Sequence, residues 1–185
     1  MKKFELTTES IETVSGEKLF RIKALVSFDA VEAGELGGYV EKEENLSHEG
    51  NAWVYDNAQV CGNAQVCGNA WVCGNAKVYD NAQVSGNAWV YGDAWVCGDA
   101  DIYDNSQKSS VDGFGSENRT TTFFREKSGG VGVKCGCFYG TLDEFREKVR
   151  KTHGDSEIAQ EYLAIADVEE RRFKRVAKKG DSRCI

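Results

Sequence analysis

The sequence predicts a mainly β chain: a parallel β-solenoid at residues 46–107, a β cap at 1–45 before it, and a small α/β appendage at 108–185 after it. Three observations carry this. Alanine recurs every six residues, at 52, 58, 64, 70, 76, 82, 88, 94 and 100. Two places after each alanine stands an aliphatic residue, from Val54 to Ile102. Before each alanine stands Asn or Asp, itself preceded by Gly or Asp. Period six is neither a helix period nor a heptad. It is the period of a hexapeptide solenoid, in which each phrase makes one short strand and one corner.

The first 45 residues supply the cap. Residues 4–7 and 19–28 read as strands, with Phe20, Ile22 and Ala24 on the buried face and Arg21 and Lys23 on the other. A cap is needed because an open solenoid end presents unpaired strand edges, which invite aggregation. Val40 and Leu46 already keep the six-residue spacing. Leu46 to Val54 spans eight, so two extra residues bulge beside His48.

In the solenoid, Ala and Val two apart point to one side of a strand and fill a narrow interior with alternating sizes. The residue between them points out. Gly-Asn and Asp-Asn form the corners, because Gly and Asn tolerate positive φ. Three phrases make one triangular coil, and the next coil lies about 4.8 Å above it. Trp53, Trp71 and Trp89 then share one outward slot. Gln59, Lys77 and Trp95 share the second, and Gln65, Gln83 and Asp101 the third.

The appendage begins with a Ser-, Gly- and Asn-rich stretch at 106–119, read as a loop or a short departing strand. Residues 120–126 and 131–139, joined by Ser128-Gly-Gly, read as a hairpin. Thr141-Leu-Asp-Glu is a capping box for a helix that buries Leu142, Phe145 and Val149 and stops at Gly154. A second helix starts near Asp155 or Ser156. Its apolar residues include Ile158, Tyr162, Ile165 and Phe173, and it frays after Lys178. The expected layout is ββαα.

The net charge of −7 is uneven. Residues 46–107 carry 1 basic and 7 acidic groups, and residues 108–185 carry 16 and 13. The solenoid is therefore a poor surface for nucleic acid, whose phosphates need Lys and Arg. No stretch is apolar and long enough to cross a membrane. Acidic and polar residues follow the first lysines at once, unlike a signal peptide. The expectation is a cytoplasmic chain with its seven cysteines reduced.

The repeat resembles the left-handed parallel β-helix of the hexapeptide-repeat family, and more closely the YdcK-like β-solenoid proteins. The lead-in Leu36-Gly-Gly-Tyr-Val-Glu and the run His48-Glu-Gly-Asn-Ala-Trp-Val carry the closer likeness, which covers roughly the first 107 residues. The resemblance implies the handedness. It also implies a bacterial, phage or prophage setting and self-association as a trimer, while a two-fold pairing of flat faces to give a dimer fits the sequence equally well. The tail resembles one found on many phage-encoded proteins, through Gly115-Ser116, Phe123-Phe124-Arg125, Cys135-Gly-Cys137 and the stretch from Phe145 to Asp155. Transferase labels attached to such repeats say nothing of chemistry by themselves.

Several residue groups are candidates for function. Trp53, Trp71 and Trp89, with Trp95 on the next side, are expected to form an exposed apolar strip suited to an interface. Gly115, Ser116, Asn118, Arg119 and Thr121 offer backbone and hydroxyl groups for an anion or ligand, or else form a plain turn before a strand. Arg171 and Arg172 open a basic run to Lys179, which also suits a helix C-terminus. Cys61, Cys67 and Cys73 fall on three different sides and cannot converge on one metal ion. Cys135 and Cys137 are expected on one strand face, packed on the helices. An acyltransferase needs a histidine base within reach of its acceptor. The coils hold none, and His48 and His153 are expected to be structural. No cofactor and no metal are expected. The reading is a non-enzymatic scaffold that binds a host protein or small molecule, ahead of an acyltransferase-like enzyme or an acidic DNA mimic.

Overall fold

The computed structural model describes residues 1–181, the side chains of 178–181 excepted. It divides into two units, 1–105 and 106–185.

In the first unit, strands β1 (Phe4–Glu12) and β2 (Lys18–Ala24) form an antiparallel hairpin, and β3 (Leu36–Val40) pairs with β2. Nine two-residue strands follow: β4 (Trp53–Val54), β5 (Gln59–Val60), β6 (Gln65–Val66), β7 (Trp71–Val72), β8 (Lys77–Val78), β9 (Gln83–Val84), β10 (Trp89–Val90), β11 (Trp95–Val96) and β12 (Asp101–Ile102). They stack in parallel at a register of 18 residues, as the phrase arithmetic requires. Side A holds β4, β7 and β10, and side C holds β6, β9 and β12. Side B continues the hairpin sheet, in the order β1-β2-β3-β5-β8-β11. Val40 pairs with Val60 and Leu46 with Val66, so these residues begin an irregular first turn in a solenoid of about four.

Every Ala and Val of the repeat from Ala52 to Ile102 is buried. The corners turn through Gly or Asp at positive φ, from Gly50 (68°) and Asp56 (54°) to Gly98 (62°). A Cβ on Gly68 would lie 3.0 Å from the Gly86 nitrogen of the next coil, so the stacked corners leave no room for a side chain there. The Asn slots bond up the stack. Asn63 Nδ2 donates to Asn81 Oδ1 (3.2 Å), and Asn75 to Asp93 (3.0 Å).

The stack has a defined lower end. Along each side, the N–H groups of one coil donate to carbonyls of the coil that follows: Asn51 to Gly68, Trp53 to Ala70, Tyr55 to Val72. The first full coil therefore turns carbonyls downward. Two side chains supply the missing donors. Lys3, 3% exposed, places Nζ 2.8 Å from the Ala52 carbonyl and 3.3 Å from that of Gly50. Asn45, fully buried in a one-turn 3₁₀ segment (Glu43–Asn45), donates through Nδ2 to Ala64 (2.8 Å) and Gly62 (3.2 Å). At the other end, Asn105 Oδ1 accepts the Trp89 N–H at 2.7 Å.

Three expectations change here. Leu19 is buried in β2 and Phe20 is only half-buried, with the Lys18 ammonium 5.2 Å from its ring. Trp53 leaves the coil interior as its slot demands, yet it is fully buried. Phe28 and Phe4 pack edge-on against it, at 5.4 and 6.3 Å.

The appendage is the third. It is a four-stranded antiparallel sheet of β13 (Lys108–Phe114), β14 (Arg119–Arg125), β15 (Val131–Cys135) and β16 (Phe138–Thr141), followed by α1 (Leu142–His153) and α2 (Glu157–Asp181). Two strands beyond the expected hairpin are present. The stretch read as a loop or a short departing strand is a strand and pairs with β14, and Gly136-Cys137 is a tight turn into β16. The capping box is formed, with Thr141 Oγ1 accepting from the Glu144 N–H, and Gly154 ends α1 at φ 59°. The core joins Phe123 and Val133 to Leu142, Phe145 and Val149 of α1 and to Ala159, Tyr162, Ala166 and Phe173 of α2, with Ile158 and Ile165 at its margin. The fraying expected after Lys178 lies, for its last residues, outside those described.

Candidate functional site

Side A carries the aromatic strip in reduced form. Trp71 and Trp89 stack in parallel, with centroids 5.1 Å apart and planes 3° apart, and Tyr55 tilts onto Trp71 at 5.1 Å. Trp89 is 46% exposed and Tyr91 55%, and Trp71 is half-buried. Trp53 is not on this surface, because Phe4 and Phe28 cover it. Trp95 belongs to side B, as the register requires.

Side B forms a groove of about 730 Å³. The β1–β2 turn, residues 13–17, makes one wall. The outward residues Gln59, Lys77 and Trp95 and the corner residues Cys61 and Tyr79 make the floor. Lys77 Nζ lies 4.8 Å from the centroid of Trp95. Three carboxylates, Glu17, Glu41 and Asp80, line the groove together with this one ammonium. Glu41 accepts the Gly62 N–H at 2.6 Å and Asp80 the Gly98 N–H at 3.0 Å. The Glu17 carboxylate, hydrogen-bonded by Ser15 and Thr13, is held below its ordinary range. Burial, and then the charges of Glu17, Glu41 and Asp80, push the Cys61 thiol up to about 11, with Lys77 opposing. The field over the floor is therefore negative.

The histidines are engaged in packing. His48 Nδ1 accepts the Lys3 N–H at 3.2 Å, its ring stacks on Phe4 at 4.4 Å, and Nε2 faces Glu43 at 3.5 Å. The bulge thus clasps the first strand. His153 stacks on Tyr162 at 5.8 Å in the last turn of α1.

The appendage residues expected to hold an anion do not come together. Gly115 to Asn118 form the β13–β14 turn, with Gly115 and Asn118 at positive φ. The Gly115 N–H donates to Glu161, and Arg119 pairs with Glu117 at 3.5 Å, so the polar groups there meet carboxylates. Thr121 is fully buried, and its hydroxyl bonds Cys135 Sγ at 3.1 Å. Arg172 binds the Lys108 carbonyl at 2.7 Å, at the opposite end of β13, and Arg171 is exposed on α2. Seven extended residues separate the two groups, about 20 Å of strand. Lys178 and Lys179 lie outside the residues whose side chains are described.

Among the described residues no three His, Cys, Asp or Glu side chains group as a metal site, and every cysteine is a free thiol. Cys135 ends β15 and packs toward the helices, whereas Cys137 is exposed in the turn after it. The shared strand face expected for this pair is not formed, because the chain reverses at Gly136. Among the described residues no helix is long and apolar enough to cross a membrane.

Sequence reasoning placed the floor of the side-B groove, since Gln59, Lys77 and Trp95 follow from the register. It missed the overhanging turn at 13–17 and the plugs Lys3 and Asn45. No periodic signal marks any of them.

No curated protein matches the chain. Two stretches, residues 58–74 and 82–98, match the family model of the YdcK Beta solenoid repeat. Both lie within the stacked coils, so sequence match and architecture agree that the chain carries a YdcK-type β-solenoid repeat.

Proposed function

We propose that the chain is a non-enzymatic β-solenoid scaffold that associates with further copies through side A and displays its appendage to a partner. One observation supports this above others: the stacked Trp71–Trp89 pair, extended by Tyr55 and Tyr91, stands on a ladder fixed by backbone hydrogen bonds. Aromatic side chains bury about 150–250 Å² each and lose little rotamer entropy on contact. Four of them form the apolar centre of an interface of ordinary size, about 800 Å² per partner. Closed symmetric pairing, two-fold or three-fold, would cover the strip. In the phage or prophage setting that the resemblance suggests, the displayed module would engage a host protein, or the scaffold would hold a host small molecule, in the host cytoplasm. The acidic solenoid makes nucleic acid a poor partner there.

Light scattering at micromolar concentration tests the assembly. An oligomer is expected for the wild type, and a folded monomer for Trp89→Glu. A monomeric wild type would refute the proposal, and an unchanged oligomer in Trp89→Glu would remove side A from it.

A further inference from the structure

The groove on side B has features that neither the core nor the aromatic strip requires. Its volume, about 730 Å³, lies in the range of small-molecule sites. One wall is an overhanging turn whose tip, Val14, is fully exposed. The floor includes an indole and a phenol. Glu17, Glu41 and Asp80 stand against the single cation of Lys77, leaving two negative charges in excess.

Lys77 shows what this surface attracts. Its slot is outward and is filled by Gln59 in the coil below, so the repeat does not demand a cation there. The ammonium nevertheless lies over the Trp95 ring. An indole face beside carboxylates is the arrangement that holds ammonium groups, through the ring quadrupole and the neighbouring charge. A small amine brings the same group without the tether, and its apolar part can cover floor that the Lys77 stem leaves open.

We propose that this groove binds a protonated organic amine of small-molecule size, whose ammonium takes the place over Trp95 that Lys77 holds and whose apolar body lies along Tyr79 and the turn at 13–17. The site is on a different side of the solenoid from the aromatic strip, and it does not depend on self-association.

The test uses calorimetric titration of the full chain at neutral pH with phenethylammonium, and with 2-phenylethanol as its neutral analogue. The amine is expected to bind and the alcohol to bind at least about tenfold more weakly, since a bond to a charged group contributes on this scale. In Lys77→Gln, which places the residue of the coil below in the same slot, the amine is expected to bind several-fold tighter, because the internal competitor is gone. In Glu17→Gln with Asp80→Asn it is expected to bind about tenfold more weakly. Asn tolerates the φ of 59° at position 80, and far-ultraviolet circular dichroism checks that each variant is folded. Equal affinity for amine and alcohol overturns the assignment. So does amine binding in Lys77→Gln that is unchanged or weaker, and so does the lack of measurable amine binding at millimolar concentration.

Discussion

Asn45→Asp is the sharpest probe of how the solenoid closes its lower end. The exchange is nearly isosteric. The acceptor that receives the Lys42 N–H at 2.9 Å is kept, but the two donors to the Gly62 and Ala64 carbonyls become an oxygen facing two oxygens. Losing two buried hydrogen bonds costs about 1–1.5 kcal/mol each. Leaving a buried carboxylate without a cation raises the total to about 3–5 kcal/mol. At a urea m-value of about 1–3 kcal/mol/M, 3 kcal/mol lowers the unfolding midpoint by about 1–3 M.

The pH dependence fixes the cause. A buried carboxyl facing carbonyls titrates higher in the folded chain than in the unfolded one. Between the two values the folded state holds more protons, so stability falls as pH rises through this window. The protonated acid can also donate one of the lost bonds. Asn45→Asp should therefore regain part of its deficit, relative to wild type, at about pH 4 compared with pH 7. All four tryptophans lie between 53 and 95, so indole fluorescence in urea reports this unit alone. Gln65→Asp adds the same charge in an exposed slot, and it should change stability by well under about 1 kcal/mol. Equal midpoints for the two variants, or a deficit in Asn45→Asp that ignores pH, would refute the account of the end plug.

Two further outcomes follow from the same unit. Trp53→Ala should cost about 3–5 kcal/mol, as removal of a fully buried indole does, whereas Trp89→Ala should cost less than about 1 kcal/mol, by urea midpoints. Similar losses would mean that the cover of Trp53 by Phe4 and Phe28 is wrong. Burial lowers the Lys3 ammonium from 10.5 to about 8. Between those values the unfolded chain binds more protons, so stability rises with pH. Cys61, raised from 9.0 to about 11, acts in the opposite sense above pH 9. Wild type should therefore gain on Lys3→Met between about pH 7.5 and 9, and parallel curves would remove the titration of Lys3 from that window.

The repeat was legible because its constraint is local. Each Ala and Val is fixed by its own phrase, and the register of 18 follows from three sides. The N-terminal contacts are not local. Phe28 and Phe4 reach Trp53 across 25 and 49 residues, and nothing in the phrase containing Trp53 separates it from those of Trp71 and Trp89. In the appendage, the helix cap at Thr141 and the stop at Gly154 were readable from side-chain chemistry. Strand β13 was readable only as one of two alternatives, a loop or a short departing strand, since Ser109, Ser110 and Gly113 give no alternation and its pairing comes from β14. The residues of the expected anion cluster are not gathered, for a related reason. Residues 115–121 are close in sequence, but a turn and a strand send Thr121 into the core and leave Arg119 with Glu117.

The 18-residue register also sets how this chain can change length. Removing residues 69–86 joins Gly68 to Asn87 and restores an unbroken phrase. Trp53 would then stand beneath Trp89 and Val54 beneath Val90, each meeting the partner type it already has, and Asn63 beneath Asp99, the acceptor that Asn81 uses in the full chain. Lys3, Asn45 and Asn105 would keep their acceptors and donor, because residues 50, 52, 62, 64 and 89 all survive. Removing a single six-residue phrase would instead carry every later strand to the neighbouring side and set unlike outward residues above one another. Whole coils are thus interchangeable quanta, and duplication or loss of one coil is the smallest step in the growth of such a solenoid that keeps its register. The proposed functional surfaces are the exceptions: Lys77 and Asp80 occur in one coil only, and the same coil holds Trp71, so a chain shortened by that coil would keep its architecture and lose both the side-B groove and the Trp71–Trp89 stack.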